Sequence, residues 1–489
     1  MTGRTLHDDP TPARLLARFA ARTRDDGLPT ELREKTSGHL LDLLGNSLAA
    51  LSHQPAAAVA DLAHEWGGAP VATVIGSTTR LPAPSAALVN GTLAHSLDFD
   101  DTHLPSVLHP SASVLPAALA TAEAAEAPGA ALLAAAACGI ETTCRLGMAQ
   151  YDEALGNSVF FDRGLHATAI CGTIGAAVAS AMLRGLDADG ICAAIGIAAS
   201  MGSGIIEANR TGGTVKRVHC GWAAHAGVVA ADMARVGLTG PPTVLEGRFG
   251  FFRAFCGDRF DTAAVTAALT ADLGQRWETA RLFLKPYPCN HFTHAGVDAA
   301  MRLRRRGVHP DRVRALTLGA PAPVLRTIAE PAAEKAHPRS GYHAAFSGPY
   351  TVAAGLLAPP DGAPDGGLGV FHADFTDTAA ADPARLALAA RVTCVADEEC
   401  TAAFPHQFPA VLTAELDDGT TATERVMVNR GSPQDPLEAH ELTTKFLANA
   451  QHAVAPEAAR ALTDEVWRID GSPDTTGLTR ALSAVARGT

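Results

Sequence analysis

The stretch RLFLKPYPCNHFTHAGVDAAMRLRRRGV, residues 281–308, marks the point where the character of the chain changes. Before it, hydrophobic residues recur mostly at helical spacing, and strand signals are few. After it come short runs of strand-forming residues bounded by turn residues. We therefore divide the chain here, and expect a helical domain before this stretch and a domain of mixed helices and strands after it.

The N-terminal side reads as a series of helices. Leucines recur at helical spacing through residues 29–51 and predict an amphipathic helix. Weaker stripes predict further helices across 112–147, 166–184 and 188–203, and Asp189 is the candidate N-cap of the last of these. This side of the chain is therefore predicted to be built from packed helices.

The C-terminal side carries the strand signals. RVRALTLGAP, residues 312–321, and RVTCVADE, residues 391–398, predict short strands. AVLTAELDDGTTATERVMV, residues 410–428, predicts a hairpin with Asp418-Gly419 at a turn position that favours positive φ. A loop rich in proline and glycine is expected at residues 358–369.

Length and composition agree with a mainly α fold of two domains. We expect a large all-helical domain, discontinuous over 1–280 and 433–489, interrupted by a smaller α+β domain at roughly 281–432. The 489 residues are enough for two domains, and the chain becomes helical again from Leu437. Only 5% of residues are aromatic, which fits closely packed helices better than a β-sandwich.

The net charge and the cysteine pattern limit the possible partners and the cellular location. A net charge of −12 argues against nucleic acid or an anionic membrane as the main partner. The nine cysteines are scattered without a CxxC pair, which predicts reduced thiols in a cytoplasmic protein. The first residues lack the pattern of a signal peptide. The apolar run at 169–183 is shorter than the roughly 20 residues of a membrane span.

Titratable residues gather in NGTLAHSLDFDDTHLPSVLHPSASVLPAALA, residues 90–120. Asp98, Asp100 and Asp101 are superficially like the aspartate-rich magnesium motifs of helical enzymes. Such motifs need a second acidic cluster on a facing helix, and the sequence offers no convincing one. Two interpretations stay open: a proton-transfer site, or aspartates that cap one helix, with His109-Pro110 starting the next.

Three later clusters are equally ambiguous when taken alone. His166 precedes the most apolar helix, where a histidine is more often a capping or core residue than a catalyst. Arg210, Lys216, Arg217, His219 and His225 surround a glycine pair at 212–213, which indicates either an anion site or a solvated basic patch.

The third cluster is KPYPCNHFTH, residues 285–294. Cys289, His291 and His294 have the residue types of zinc ligands. No fourth ligand stands nearby in the sequence, so we predict no metal here.

Taken together and in order, these motifs resemble the MmgE/PrpD family. The resemblance covers AHSLDFDDTH, LHATAICGTIGAA, GTVKRVHCGWAAHAG and KPYPCNHFTHAGVDAA, and extends to AAFSGPYTVAAGLL and GSPQDPLEAHELTTKF. It implies a large helical domain with an α+β lid, a homodimer, and chemistry without a metal or organic cofactor. The family includes 2-methylcitrate dehydratase, cis-aconitate decarboxylase and iminodisuccinate epimerase.

The resemblance also implies which residues form the site. These activities each make or quench a carbanion beside a carboxylate, and they need acid/base groups and donors for the developing charge. The implied catalytic residues are Asp98, His109, His166 and Lys216, and the implied substrate-binding residues are Thr102, Lys285, Asn290, His291 and Tyr350.

Roles follow from the residue types. The two histidines, His109 and His166, are expected to form the proton-transfer pair because the histidine pKa lies near neutrality. Lys216 and Lys285 are expected to bind substrate carboxylates. Asp98 is expected to orient a histidine, Thr102 to donate a hydrogen bond to substrate, and Tyr350 to close the site from the lid.

One departure bears on the reaction. The decarboxylase pattern has a histidine five positions after the lysine equivalent to Lys285, and this chain has Asn290 there. We therefore expect a 2-methylcitrate dehydratase-type hydro-lyase acting on a small di- or tricarboxylate. The alternatives are cis-aconitate-type decarboxylation, iminodisuccinate-type epimerisation, and a catalytically silent carboxylate-binding member of the family.

Overall fold

The protein divides into two units along the chain. The structure is a computed structural model that describes residues 10–51, 55–152, 154–155, 157–208, 213–359, 368–451 and 453–485. Unit 1 comprises Met1–Leu282 and Asn449–Thr489, and unit 2 comprises Phe283–Ala448. The sequence placed these boundaries after residues 280 and 432. The second differs because composition does not reveal on which unit a helix packs, and most of the helix Ala439–Ala450 belongs to unit 2.

Helices dominate the first part of unit 1. They are α1 (Pro12–Asp26), α2 (Thr30–Ala49), α3 (Ala56–Trp66), α4 (Ala83–His95), α5 (Ser111–Ala124), α6 (Gly129–Met148), α7 (Val159–Asp162), α8 (Ala167–Leu183), α9 (Ala188–Ala198), α10 (Val215–Arg235), α11 (Phe251–Cys256) and α12 (Thr262–Thr270).

The predicted helices are present, with two corrections. The helix predicted over 29–51 is α2, but the stretch 112–147 forms two helices, because the chain turns at residues 125–128 and Pro128 precedes α6. The N-cap of α9 is Asp187 and not Asp189. Asp187 has an extended backbone and its carboxylate accepts from Gly190 N at 2.9 Å, whereas Asp189 already lies in the first helical turn.

Apolar helices form the core of unit 1. Every residue of α8 is buried. Among the described residues, α6 is long and apolar enough to cross a membrane, but 89% of its most apolar window is buried inside the protein. This burial is typical of a core helix. Two short antiparallel pairs, β1 (Ala72–Thr73) with β2 (Arg80–Leu81) and β3 (Tyr151–Asp152) with β4 (Asn157–Ser158), add strand structure that the sequence pattern did not predict.

Unit 2 contains a four-stranded mixed sheet. Its strands are β5 (Val313–Ala320), β6 (Val392–Ala396), β7 (Ala410–Leu416) and β8 (Thr421–Val426), in the order β6-β5-β7-β8. The β5–β6 pair is parallel, and the other two pairs are antiparallel. The predicted strands and hairpin are confirmed, and Gly419 in the hairpin turn has φ +82°.

Short helices accompany the sheet of unit 2. They are α13 (His294–Arg305), α14 (Leu325–Ile328), α15 (Ala332–Ala336), α16 (Gly341–Ala344), α17 (Gly348–Leu357), α18 (Asp377–Ala380), α19 (Pro383–Ala389), α20 (Glu398–Ala403) and α21 (Ala439–Ala450). Apolar residues of α13 and α17 share one core cluster with the inward side chains of β5 and β7.

The chain then returns to unit 1 through α22 (Pro456–Trp467) and α23 (Thr476–Val485). The turn between these two helices packs against the start of α6: Gly129 N donates to Ser472 O at 3.0 Å, and a Cβ atom on Gly129 would collide with Ile469 O. Most of the loop predicted at 358–369 lies outside the described residues.

Candidate active site

A close crossing of two helices positions one face of the candidate site. A Cβ atom on Gly91 of α4 would lie 2.8 Å from Gly221 Cα of α10, so neither position has room for a side chain. Along the same antiparallel crossing, His225 Nδ1 donates to Pro84 O at 3.0 Å. This register brings His95, the last residue of α4, to the first turns of α10. It also carries His225 to the opposite end of α4, away from the residues described next.

The loop after α4 brings Thr102 and His109 together although seven positions separate them. Backbone hydrogen bonds join His103 and Leu108 in both directions and close the loop. Val107 inside it has φ +54°, a conformation that is unfavourable for a β-branched residue. As a result Thr102 Oγ1 lies 3.4 Å from His109 Nδ1. Backbone strain of this kind is common at functional sites.

Asp98 and Lys216 form an ion pair across the site. Asp98 also has φ +54°, which turns its carboxylate toward α10. Lys216, in the first turn of α10, places Nζ 3.7 Å from Asp98 Oδ1. The side chains are 20% and 16% exposed, so the pair is partly accessible. Sequence reasoning assigned Asp98 to orient a histidine, and the geometry gives it the lysine as a partner.

His109 is held in one orientation by backbone groups. Its Nδ1 lies 2.5 Å from Asp101 O, and because a carbonyl only accepts, Nδ1 carries the proton. In the neutral ring Nε2 is therefore the basic nitrogen. The His109 backbone N–H donates to Thr168 Oγ1 at 3.2 Å, which ties the residue to the start of α8.

Asp101 performs the capping role that the sequence left open. Its carboxylate accepts from the backbone N–H and the hydroxyl of Ser111, the first residue of α5. Burial, opposed by these hydrogen bonds and reinforced by Asp100 and Asp42, raises the pKa of Asp101 to about 8. The aspartate run thus contributes both a helix cap and members of the candidate site.

His166 immediately precedes α8 and is almost fully buried. Its backbone N–H donates to Gly204 O at 3.0 Å. Gly204 has φ +146°, and a Cβ there would lie 3.1 Å from His166 Cβ, so a side chain at 204 would press on the ring. Burial and the nearby positive groups, Lys216 and His95 foremost, lower the pKa of His166 well below its ordinary value.

His219 shares a contact with His166 that restricts protonation. The two Nδ1 atoms lie 3.1 Å apart, so one must donate and the other accept. The two rings therefore cannot both be doubly protonated. Burial and the charges of His95 and Lys216 lower the pKa of His219 to about 4. His219 follows Lys216 by three positions on α10, and this helical spacing is the sequence signal that could have placed it in the site.

His95 is a further member that sequence reasoning did not select. It is 2% exposed, and its Nδ1 lies 2.7 Å from Asp100 Oδ2. Burial opposes its protonation, but the charge of Asp100 and their hydrogen bond outweigh burial and raise the pKa of His95 to about 10. The signal for it was the spacing of five between His95 and Asp100, which becomes a contact only once the chain turns at Asp98.

A metal ion fits this cluster poorly. Ligand atoms of His95, Asp98 and Asp100 lie within 4.8 Å of one another, a spacing that a metal ion could use. However, Asp98 already faces the ammonium of Lys216, and Asp100 already pairs with His95. A divalent cation would have to replace one positive charge and sit beside another. The side chains fit an internal charge network better than a metal centre.

The predicted residues of the KPYPCNHFTH cluster lie in unit 2. Lys285 is almost fully buried there. The Asn290 side chain accepts from Phe292 N at 3.1 Å and begins the short helix His291–Thr293. The ring of His291 packs edge-on against Phe408, with centroids 5.2 Å apart.

Cys289 and His294, two of the three residues with zinc-ligand side chains, make contacts within their own segment. His294 Nε2 lies 3.1 Å from Cys289 O, so this nitrogen donates to a carbonyl. The Cys289 thiol lies 3.3 Å from Thr293 Oγ1. These contacts give the residues a role in shaping the segment.

Tyr350 is anchored within unit 2. It lies in the first turn of α17, is fully buried, and its hydroxyl donates to Asp374 O at 2.6 Å. Burial raises the pKa of Tyr350 to about 12, so the phenol stays protonated at neutral pH. Its predicted role in closing the site stays a prediction. Arg210 and Gly212 of the basic cluster lie outside the described residues.

Unit 1 therefore brings together imidazole groups that can transfer a proton and an ammonium group that can bind a substrate carboxylate. The ring of His95 lies between those of His109 and His166, at centroid distances of 5.5 and 5.6 Å. Lys216 supplies a partly exposed ammonium beside them. Neutral and charged imidazoles next to a cation can move a proton to or from carbon while a substrate carboxylate is held.

The chain matches known proteins over nearly its whole length. A cis-aconitate decarboxylase-like protein of Aspergillus oryzae, oryM, is 27% identical over 487 residues, covering 96% of each chain. The cis-aconitate decarboxylase of Mus musculus is 30% identical over 409 residues, covering 82% of this chain and 79% of the mouse protein. That of Aspergillus terreus is 28% identical over 300 residues, covering 60% of each.

Family models agree with these relatives. Residues 14–263 match the MmgE/PrpD N-terminal domain, and residues 287–470 match the MmgE/PrpD C-terminal domain. Together the two matches span most of the chain. They contain the candidate-site residues of unit 1, which are His95, Asp98, Asp100, His109, His166, Lys216 and His219. The chain therefore belongs to the MmgE/PrpD family.

Proposed function

We propose that this protein is a cofactor-independent lyase acting on a small di- or tricarboxylate, and that its reaction is the decarboxylation of cis-aconitate. The observation that carries the proposal is the cluster in unit 1, where His109 and His166 flank a buried imidazole beside the ammonium of Lys216. The named activity of the relatives, cis-aconitate decarboxylation, supports this reaction over the dehydration expected from sequence.

The chemistry needs a proton donor and an anion site. Loss of carbon dioxide breaks a carbon–carbon bond and leaves its electron pair on an allylic carbanion conjugated with a carboxylate. One proton delivered to the far carbon of that allyl system gives itaconate. A cation near the conjugated carboxylate stabilises the developing charge, and Lys216 has the position and partial exposure for that role.

The two histidines differ in what they can supply. A neutral His166 accepts a hydrogen bond or a proton, and its surroundings disfavour the charged form. His109 keeps Nδ1 on a backbone carbonyl, so its proton-exchanging nitrogen is Nε2. We assign proton donation to His109, which gives up its Nε2 proton from the doubly protonated ring, and assign neutral His166 to orient substrate in decarboxylation or to receive the substrate proton in dehydration.

Dehydration of the 2-methylcitrate type is the second candidate, and Asn290 favours it. In the decarboxylase pattern a histidine occupies this position. Asparagine does not exchange protons near neutral pH, and here its oxygen caps a short helix. In this reaction the cluster of unit 1 uses a histidine base to remove a proton and a histidine acid to assist hydroxide departure.

Proton NMR in deuterated water distinguishes these reactions. EDTA-treated protein is offered cis-aconitate, 2-methylcitrate, citrate and an imino- or aminodicarboxylate in separate tubes. Itaconate from cis-aconitate supports the proposal, and an alkene from a hydroxy acid supports the second candidate instead. Deuterium exchange without net elimination indicates an epimerase. No change in any tube, with folded protein, contradicts lyase activity on this substrate set and favours a silent carboxylate-binding protein.

Three expectations stay predictions: a homodimer, from the family resemblance; a cytoplasmic location, from the cysteine usage; and independence of metals, from the family resemblance. Light scattering on the purified protein tests the first, and unchanged turnover after EDTA treatment tests the third.

A further inference from the structure

The hydrogen-bonded pair of His95 and Asp100 lies next to the predicted proton-transfer histidines, His109 and His166. His95 ends α4, and Asp100 follows the turn at Asp98. Both side chains are at most 2% exposed, and their hydrogen bond of 2.7 Å joins Nδ1 to a carboxylate oxygen. This contact fixes the plane of the His95 ring and identifies Nδ1 as a donor.

His95 is the central ring of a histidine array. Its centroid lies 5.5 Å from that of His109 and 5.6 Å from that of His166. The array continues to His219, 5.2 Å beyond His166. Any change in charge at His95 is therefore felt by both predicted proton-transfer residues, because little water separates these buried rings.

The Cys220 side chain lies at the other side of the His95 ring from Asp100. Nε2 is buried and has no oxygen or nitrogen hydrogen-bond partner among the described residues. Cys220 hydrogen-bonds to the ring and, together with Asp100, favours its charged form.

We propose that His95, held by Asp100, is a positioning residue that acts as a fixed buried cation and keeps His166 uncharged for its part in the reaction. The assignment of a part to His166 rests on the function proposed above. His95 does not need to touch substrate in this role. It acts through its distance from His166 and through the carboxylate that holds its own proton.

The groups facing these rings support the direction of the effect. His166 is surrounded by Lys216, His95, His219 and His109, all of them cationic when protonated, and their charges add to burial in lowering its pKa. Two anions offset part of this field: Asp98, which faces Lys216, and Asp100, which holds His95.

The groups facing His95 act in the opposite sense. Burial opposes its charge, and Asp100 together with the Cys220 thiol overcomes burial, so that its pKa is raised to about 10. Asp101, next in the chain to Asp100, has a pKa raised to about 8 and is mostly protonated at neutral pH. The two neighbouring rings thus have their pKa values driven apart, the pattern expected of acid/base assignments.

The test uses two variants and a matched control. His95→Gln removes the cation, and Asp100→Asn keeps the ring but removes the carboxylate that holds its proton. The control is His103→Gln, because His103 is also a buried histidine paired with an acid, Glu278, at 3.1 Å. All three substitutions are expected to lower stability. The proposal predicts an electrostatic effect on His166 only in His95→Gln and Asp100→Asn.

The measurement is histidine NMR of the full-length protein labelled at histidine Cε1, titrated with pH without substrate. In His95→Gln and Asp100→Asn the His166 signal is expected to titrate at a pH about one unit or more above wild type. In His103→Gln it is expected to follow wild type. Where turnover is measurable, the acidic limb of the kcat–pH profile should move in the same direction by a similar amount.

An unmoved His166 titration in a folded His95→Gln or Asp100→Asn protein overturns the proposal. If one variant does not fold, the other decides. The NMR result is independent of turnover: a shifted titration without activity on any tested acid supports the positioning role and contradicts the proposed reaction. Turnover of a tested acid together with an unmoved His166 titration supports the proposed reaction and contradicts the positioning role.

Discussion

Replacing Lys216 by methionine is expected to lower kcat/KM for the polycarboxylate substrate by about 10- to 100-fold. Its ammonium lies 3.7 Å from Asp98, and the two side chains are 20% and 16% exposed, so the group is partly desolvated but reachable. A hydrogen bond to a charged group contributes about 1.5–3 kcal/mol, and each 1.4 kcal/mol corresponds to a factor of about ten.

The substitution also leaves a negative charge without its nearest cation. Two unit charges 3.7 Å apart interact by about 4 kcal/mol at an effective dielectric constant near 20, and partial exposure reduces this value. In Lys216→Met, Asp98 then repels a substrate carboxylate. The double variant Asp98→Asn, Lys216→Met should therefore lose less than the sum of the two single losses.

Initial rates of product formation by NMR, together with thermal unfolding, decide the outcome. Arg217→Met is the matched control, since it removes the same charge from a residue turned about 100° around the helix. The reasoning is refuted if Lys216→Met keeps kcat/KM within twofold of wild type. It is also refuted if Arg217→Met loses as much as Lys216→Met at equal stability.

Three further changes test other parts of the site. His166→Ala should lower turnover by about 10² to 10⁴ in protein that thermal unfolding shows to be folded, and near-normal turnover would remove it from proton transfer. Gly204→Val should lower kcat because its Cβ would lie 3.1 Å from that of His166, whereas Gly237→Ala, at φ +95° with nothing within 4 Å, pays the backbone strain alone and should keep activity. For Glu278, burial opposes ionisation, but its histidine partner and two nearby arginines outweigh burial and lower the pKa from 4.5 to about 2. A depressed pKa stabilises the folded state above pH ~4.5 and loses that stabilisation as pH falls toward ~2, so Glu278→Gln should cost about 3 kcal/mol at pH 7 and progressively less below pH ~4.5 in urea unfolding; a gap that stays constant with pH would contradict this.

The regular elements were predictable because their patterns are local. The leucine stripe of residues 29–51 gives helix α2, and the alternation and turn of 410–428 give the hairpin with Gly419 at positive φ. The boundaries were less predictable. Asp187 rather than Asp189 caps α9, since the two differ only in backbone conformation and not in chemistry.

The candidate site was only partly predictable from sequence, because its contacts depend on two non-local features. The first is the positive φ of Asp98, which directs this carboxylate to Lys216 and leaves Asp100 to bind His95. The second is the close crossing at Gly91 and Gly221, which sets the register of α4 against α10. Neither can be read from spacing along the chain.

The most direct test of the account compares wild-type protein with His109→Gln on cis-aconitate in deuterated water, both treated with EDTA and matched in thermal unfolding. The account predicts that wild type forms itaconate carrying one deuterium on its saturated methylene carbon, and that His109→Gln forms it at least about 100-fold more slowly. Itaconate formation by His109→Gln at the wild-type rate would contradict the claim that this histidine delivers the proton.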